Sequence, residues 1–394
     1  MPAVMEAPNA TRPDTDVLEY CRSHLSSLAR SDQRRWGEVY VRGLVSVPGR
    51  KSIRRIAEQV VGWRAEQCLQ QFVNQSTWKW EPVRRSLAHE VTGLIRPKAW
   101  VALETAFPKN GTSSVGVAKQ YAASAGRVLN CQLGLTVLLV GAEASCPVNW
   151  RLLLPQSWDD DHVRRIRTHL PQTQRHRPRW HYLVDAVDQM SIGWHLNAAP
   201  LLFDATHEPN LEPRLRSLEE RGLRYLVRVS PNTPATRWAA YRHPGRVPTV
   251  GEIAALAGRP GAGQPLWQTC HDHTAAGTRI IATSQPRPEE VSWLPWRPAS
   301  GPQQLFAEWP AGRSQPNALW LTNLSRTRLP ELAELAALHN GAAASLRQME
   351  ETVGLQQFEG RSFPGWHHHV TLASMAYAYK LRQTMTEGAF ALNR

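Results

Sequence analysis

From Asp16 to Pro97 apolar residues recur at intervals of three and four: Val17, Leu18, Tyr20, Leu25 and Leu28, then Val39, Tyr40 and Leu44. That spacing gathers them on one stripe of an α-helix. The stretch SVPGRKS reads as a turn, with Ser52 placed to cap a helix carrying Ile53, Ile56, Ala57 and Val60. QSTWKWEPVRRSLAHEVTGLI supplies another helix, stopped at Pro97. Residues 16–97 are therefore expected to form a helical domain, preceded by a polar, Pro-rich stretch (1–15) expected to be a disordered leader.

From Ala99 the period changes. WVALETAF, VGVAKQY, NCQLGLTVLLVGA and CPVNWRLLL are short, β-rich and separated by Gly, Asn and Ser, and they predict four successive strands. HVRRIRTHL and RWHYLVDAVDQM follow as helices, APLLFDAT as a buried strand, LEPRLRSLEERG as a helix and LRYLVRVS as a strand. Strands first, then strand and helix in alternation, predict an α/β sheet of mixed order over 98–229. Residues 230–326 are Pro- and Gly-rich with strand-like pieces PLWQTCHD, TRIIATSQ, QQLFAEW and NALWLTNL, and read as a β-rich insertion. Helical spacing returns over 327–386, leaving 387–394 as a tail.

Composition narrows the function classes. No run approaches the roughly 18 apolar residues that cross a bilayer, so no membrane partner is expected and a cytoplasmic location is. Five scattered cysteines without CxxC spacing argue for reduced thiols. The net charge of +13 suits a polyanion, with DNA first in line. In the helical region Arg50, Lys51, Arg54, Arg55, Arg84 and Arg85 are the candidate DNA-binding residues.

The segment from Lys109 to Asp161 resembles the core of bacterial insertion-sequence transposases of the DDE superfamily. Against the family pattern K-G-x-x-S-V-G-V-x-x-Q-Y-x-x-x-x-G-R-x-x-N-C-Q-x-G, this chain matches at Lys109, Gly111, Ser114 to Val117, Gln120, Tyr121, Gly126, Arg127, Asn130 to Gln132 and Gly134. Leu154, Pro155 and Trp158, and VGLQQFEGRSFPGWHHHVTLA near the C-terminus, extend the resemblance from about Asp32 to Leu381, with a weak middle. It implies an RNase H-like mixed sheet flanked by helices, with the N-terminal helical domain and the β-rich insertion read above.

The resemblance also implies three carboxylates holding two divalent metals, one to activate the attacking oxygen and one to stabilise the leaving oxygen. The first family Asp, in V-D-E-T-G-F, aligns with Leu103. Neighbouring Glu104 is no simple substitute, because adjacent strand residues face opposite ways. Asp204, at the end of PLLFDAT, fits the second position. Counting back from Val353-Gly354-Leu355 in the pattern R-x-x-x-E-x-x-x-x-x-x-K places His339, Ala343 and Glu350 at the Arg, Glu and Lys positions. Glu350 lies seven residues beyond Ala343, about 10.5 Å along a helix, too far to take its place in a straight one. The small run Ala342 to Ser345 should leave a roomier, less acidic pocket.

Other clusters weigh less. His367-His368-His369 reads as a polar cluster at a helix start, Cys270-His271-Asp272-His273 lacks a partner pair at zinc spacing, and Asp159-Asp160-Asp161 reads as a cap for the helix near His162. The leading expectation is thus a transposase-like, non-catalytic DNA-binding or regulatory protein. The alternative is a repurposed enzyme acting on a small molecule in the old cleft, with Asp204, Glu104, His207, His339 and Glu350 as candidate groups. The third reading is an active transposase with relocated carboxylates. No cofactor or metal is expected, with Mg2+ required only under that third reading, and a homodimer is left open.

Overall fold

The computed structural model describes residues 12–62, 65–236, 247–255, 266–274, 277–285, 303–310, 315–325 and 327–392. Five helices open the chain: α1 (Arg12–Leu25), α2 (Ser31–Ser46), α3 (Ile53–Val60), α4 (Glu66–Asn74) and α5 (Trp80–Ile95). The first begins at Arg12, inside the stretch expected to be a disordered leader; residues 1–11 lie outside the described residues. Ser52 caps α3 as its sequence position suggests, its side chain accepting from the Arg55 amide.

Strands β1 (Ala99–Pro108), β2 (Ala118–Ala122), β3 (Arg127–Val140) and β4 (Ser145–Leu153) follow, joined by antiparallel pairing. Helices α6 (His162–Arg167) and α7 (Arg179–Asp188) lead into β5 (Leu201–Asp204), α8 (Glu212–Glu220) and β6 (Tyr225–Val229). Asp161 caps α6 by accepting from the Arg164 amide. Strands β5 and β6 run parallel to β1. The central order β4–β3–β1–β5–β6 is the mixed, helix-flanked sheet of the RNase H-like class.

Past the short α9 (Val250–Ala255), strands β7 (Leu266–Thr274), β8 (Gly277–Gln285), β9 (Gln304–Pro310) and β10 (Ala318–Thr322) do not stand apart. β10 pairs with β6 and the others continue outward, so all ten strands form one sheet. Two long helices finish the chain, α10 (Leu329–Val353) and α11 (Phe363–Leu392). The second runs well into the segment expected to be a tail. Among the described residues no helix is long and apolar enough to cross a membrane.

From Gly365 to Tyr379 α11 is buried on every side, as a helix is when it lies at the centre of a larger core. The N-terminal helices and the sheet share that core. There is no room for a side chain at Gly134, where an added Cβ would come within 2.9 Å of Trp366 and 3.0 Å of Phe107. This explains why strand β3 carries glycine opposite α11.

The polar groups of α11 are matched by the N-terminal helices. Tyr20 Oη donates to the Met375 carbonyl at 2.9 Å. Arg84 donates to Thr371 Oγ1 at 2.7 Å and to the Trp150 carbonyl at 2.8 Å, and lies against His367. The three consecutive histidines lie near the start of α11 and are buried. His369 Nε2 lies 2.8 Å from the Leu355 carbonyl and can only donate to it, so Nδ1 accepts from Tyr40 Oη at 2.9 Å. This arrangement satisfies a neutral ring. His368 faces two carbonyls, those of Val73 and Trp78, and stacks on Trp78. Burial outweighs the pull of those carbonyls towards protonation.

Burial holds His369 down to about 4, against an ordinary value near 6.5. Its neutral form is at no disadvantage above pH 6.5. As pH falls below that, the unfolded chain takes up a proton that the folded chain refuses, so stability drops until pH approaches 4. The gap corresponds to about 3 kcal/mol for this one ring. Urea unfolding followed from pH 7 to pH 4 should show a steep loss, and His369→Gln should flatten it. Equal slopes in the two proteins would contradict a neutral, buried His369.

Candidate functional site

The parallel register decides which side chains meet. β1 and β5 pair Trp100 with Leu201, Val101 with Leu202 and Ala102 with Phe203. The next position on each strand sets Leu103 beside Asp204, on one face of the sheet. The row continues sideways. Asp204 pairs with Arg228 on β6, and Arg228 with Trp320 on β10. Leu103 pairs with Thr136 on β3 in the other direction.

Asp204 stands at the strand end and is about one-third exposed. Its Oδ1 accepts from the Thr206 amide at 2.8 Å and from Thr206 Oγ1 at 2.6 Å. This is a local turn closure of the kind Asp side chains favour. Its Oδ2 lies 3.9 Å from Arg228 Nη1. The carboxylate therefore already has a partner on each oxygen.

Helix α10 lies across this row. Pro330 in its first turn and Gly354 at its end, with φ of +68°, mark the two termini. Its buried stripe runs Leu329, Leu332, Ala336, His339, Ala342, Leu346, Met349 and Val353. His339 packs edge-on to Trp320, with ring centroids 5.5 Å apart. Burial lowers its pKa, Asp204 and the Asn340 side chain raise it, and Arg228 lowers it further. Ala343, one turn on, is half-buried. Glu350 is turned to the end of the helix, where it accepts from the Gln356 amide and from Gln357 Nε2. Its carboxyl is raised by burial and lowered by those two bonds.

A cleft of about 820 Å3 opens between the strand ends and α10. Its lining includes Leu103, Glu104, Asp204, His207, His339, Ala343 and Glu350. All five candidate groups and both aligned non-carboxylate positions thus come to one cavity, but they do not converge on one point. Glu104 projects from the sheet face opposite Leu103 and accepts from Arg179 Nη1 at 2.7 Å. Burial pushes its carboxyl up while Arg179 and Arg214 pull it down. His207 is exposed at the rim, edge-on to Tyr121 with centroids 5.3 Å apart. Among the described residues no three His, Cys, Asp or Glu side chains are grouped to hold a metal ion. Cys270 to His273 lie on β7, where only the backbone is described.

Two of the expected DNA-binding residues need correcting. Arg84 is 1% exposed and Lys51 is 6% exposed. Arg84 faces α11, and the Lys51 ammonium donates to the Val47 carbonyl. Arg50, Arg54 and Arg85 are exposed and Arg55 is half-buried; Arg50 donates to Glu359 at 2.6 Å and Arg54 to Glu58 at 2.9 Å. Sequence reasoning missed Arg228, Trp320 and Arg179. Arg228 and Trp320 sit on strands whose pairing with Asp204's strand is a tertiary fact. A lone Arg between Val227 and Val229 was the available signal.

The roles of Asp204 can be separated by stability. Asp204→Asn keeps an oxygen for Thr206 and should unfold within about 0.5 kcal/mol of the parent. Asp204→Ala removes that acceptor and should cost about 1 kcal/mol in chemical denaturation, as for a lost cap. Equal losses in the two variants would show that charge, not the turn, is what matters there.

Among solved structures, a cryo-EM structure of a piggyBac transposase synaptic complex with hairpin DNA aligns over 95% of this chain and 73% of its own, at 9% identity and a TM-score of 0.39. No curated protein sequence matches the chain. The family model for a DDE superfamily endonuclease matches residues 24–285, well over half the length. The chain belongs to the DDE superfamily of endonucleases.

Proposed function

We propose that this protein is a transposase-like DNA-binding protein that does not cut DNA by the two-metal route of its family. The observation that carries this reading is the row Leu103–Asp204–Arg228. A metal pair needs hard oxygen donors from several carboxylates. Leu103, beside Asp204 in register, presents an isobutyl group. Ala343 presents a methyl group from the helix above. On the other flank of Asp204 stands a guanidinium, 3.9 Å away, where a dication would be repelled. The residues present therefore do not fit the metals the family implies.

None of the other four acids that line the cleft supports a relocated site: Glu208 is held by Arg214, and Glu351 is exposed and belongs to no group of three ligating side chains among the described residues. Glu104 lies on the other face and is tied to Arg179. Glu350 closes the end of α10 through Gln356 and Gln357. DNA binding is supported by family membership, by the net charge of +13 and by the exposed cations Arg50, Arg54 and Arg85. Such binding is dominated by pairing of cations with phosphates and by counterion release.

Purified protein should retard duplex DNA at about 50 mM salt and release it steeply towards 200 mM. Replacing Arg54 and Arg85 by Ala should lower the salt slope by about 1 for each phosphate that is no longer neutralised. Absence of any retardation at low salt would remove the DNA-binding half of the proposal. In the same samples Mg2+ or Mn2+ should produce no strand cleavage; cleavage that disappears in Asp204→Asn would overturn the other half.

A further inference from the structure

His339 is the one polar member of the buried stripe of α10. It is 6% exposed, and neither Nδ1 nor Nε2 makes a hydrogen bond of normal geometry. The Asn340 amide next to it is only near enough to favour the charged ring. A buried polar atom left unmet costs of order 1–3 kcal/mol, and a leucine would complete the stripe without that cost. The imidazole lines the cleft together with Leu103, Ala343, Leu346, Phe203 and Asp204.

The chemistry of those walls limits what fits. Around His339 they are largely alkyl, from Leu103, Ala343 and Leu346, and the Trp320 ring backs the imidazole from outside the cleft. Four of the five acids bordering the cleft are met within the protein; the fifth, Glu351, is exposed, as are the bordering Arg127 and Arg347. Glu104 is bonded to Arg179, Glu208 to Arg214, Asp204 to Thr206, and Glu350 to Gln357. Within the alkyl patch around His339 the unmet demand is a neutral hydrogen bond. At about 820 Å3 the hollow lies within the size range of small-molecule sites.

We propose that this cleft binds a small, uncharged, mainly apolar molecule whose carbonyl or hydroxyl group hydrogen-bonds His339. The site does not depend on DNA binding; either property survives failure of the other.

Four probes test this: benzamide, phenol, toluene and benzoate, titrated into full-length protein labelled with 15N-histidine. Benzamide and phenol should shift the His339 ring resonances saturably, and bind about five-fold more tightly than toluene, the ratio expected of one neutral hydrogen bond. Benzoate should bind more weakly than benzamide. His339→Leu should fold at least as stably as the parent and erase the preference for benzamide over toluene. Ala343→Trp, which fills the hollow, should block all the probes while leaving the unfolding transition cooperative. No saturable shift of His339, tighter binding of benzoate than benzamide, or an unchanged preference in His339→Leu would each overturn the proposal. A bound water as the sole partner of His339 falls under the first of these outcomes.

Discussion

The fold depends on burying α11 on all sides while giving partners to its buried histidines and hydroxyls. A central helix lined only with leucine would pack without specifying its neighbours. This one carries His367, His368, His369, Thr371 and Ser374 inside the core. Each calls for a particular partner: Arg84 for His367 and Thr371, Trp78 and Val73 for His368, Tyr40 and Leu355 for His369, and Trp150 for Ser374. Those partners come from the N-terminal helices, the sheet and the turn after α10, so one helix fixes the register of three parts of the molecule. Buried polar networks are costly when incomplete, which makes the alternatives to this packing unfavourable.

The same packing places the cleft. α10 ends at Gly354, which adopts a left-handed conformation and where an added Cβ would come within 2.7 Å of Lys51 Cγ. The helix packs on β1 and β5, across the row of Leu103, Asp204 and Arg228. Asp204 completes its valences locally, through Thr206 and beside Arg228. The site is then better described as a hollow bordered by both acids and arginines, with one unmet imidazole within, than as an acidic centre.

Much of this architecture was legible in the chain. The change from helical to alternating spacing at Ala99 marked the start of the sheet, and Leu103 and Ala343, chosen by motif, and Asp204, chosen by its place at a strand end, do line one cleft. The rest was not, for definite reasons. Arg84 and Lys51 look like surface cations because a sequence cannot show which face of a helix meets another one far along the chain. The β-rich segment could not reveal that β10 would join β6, since strand pairing across a long connection leaves no periodic trace. Arg228 came to matter only once that register set it next to Asp204. The placement of His339 in the stripe of α10 was visible as spacing, but its lack of partners was not.

The dependence of both ends of the chain on each other has a consequence for how the protein is made. Tyr20 and Met375, bonded in the core, are 355 residues apart. At synthesis rates of about 5–20 residues per second, roughly 20–70 s pass between the emergence of the first helices and that of the helix they must surround. Throughout that interval they can pack on one another and on the early strands, but the faces that α11 covers lack their native partner. A version shortened before α11 would keep those faces open to solvent, so its opening helices should be cut by proteases more readily than in the whole chain.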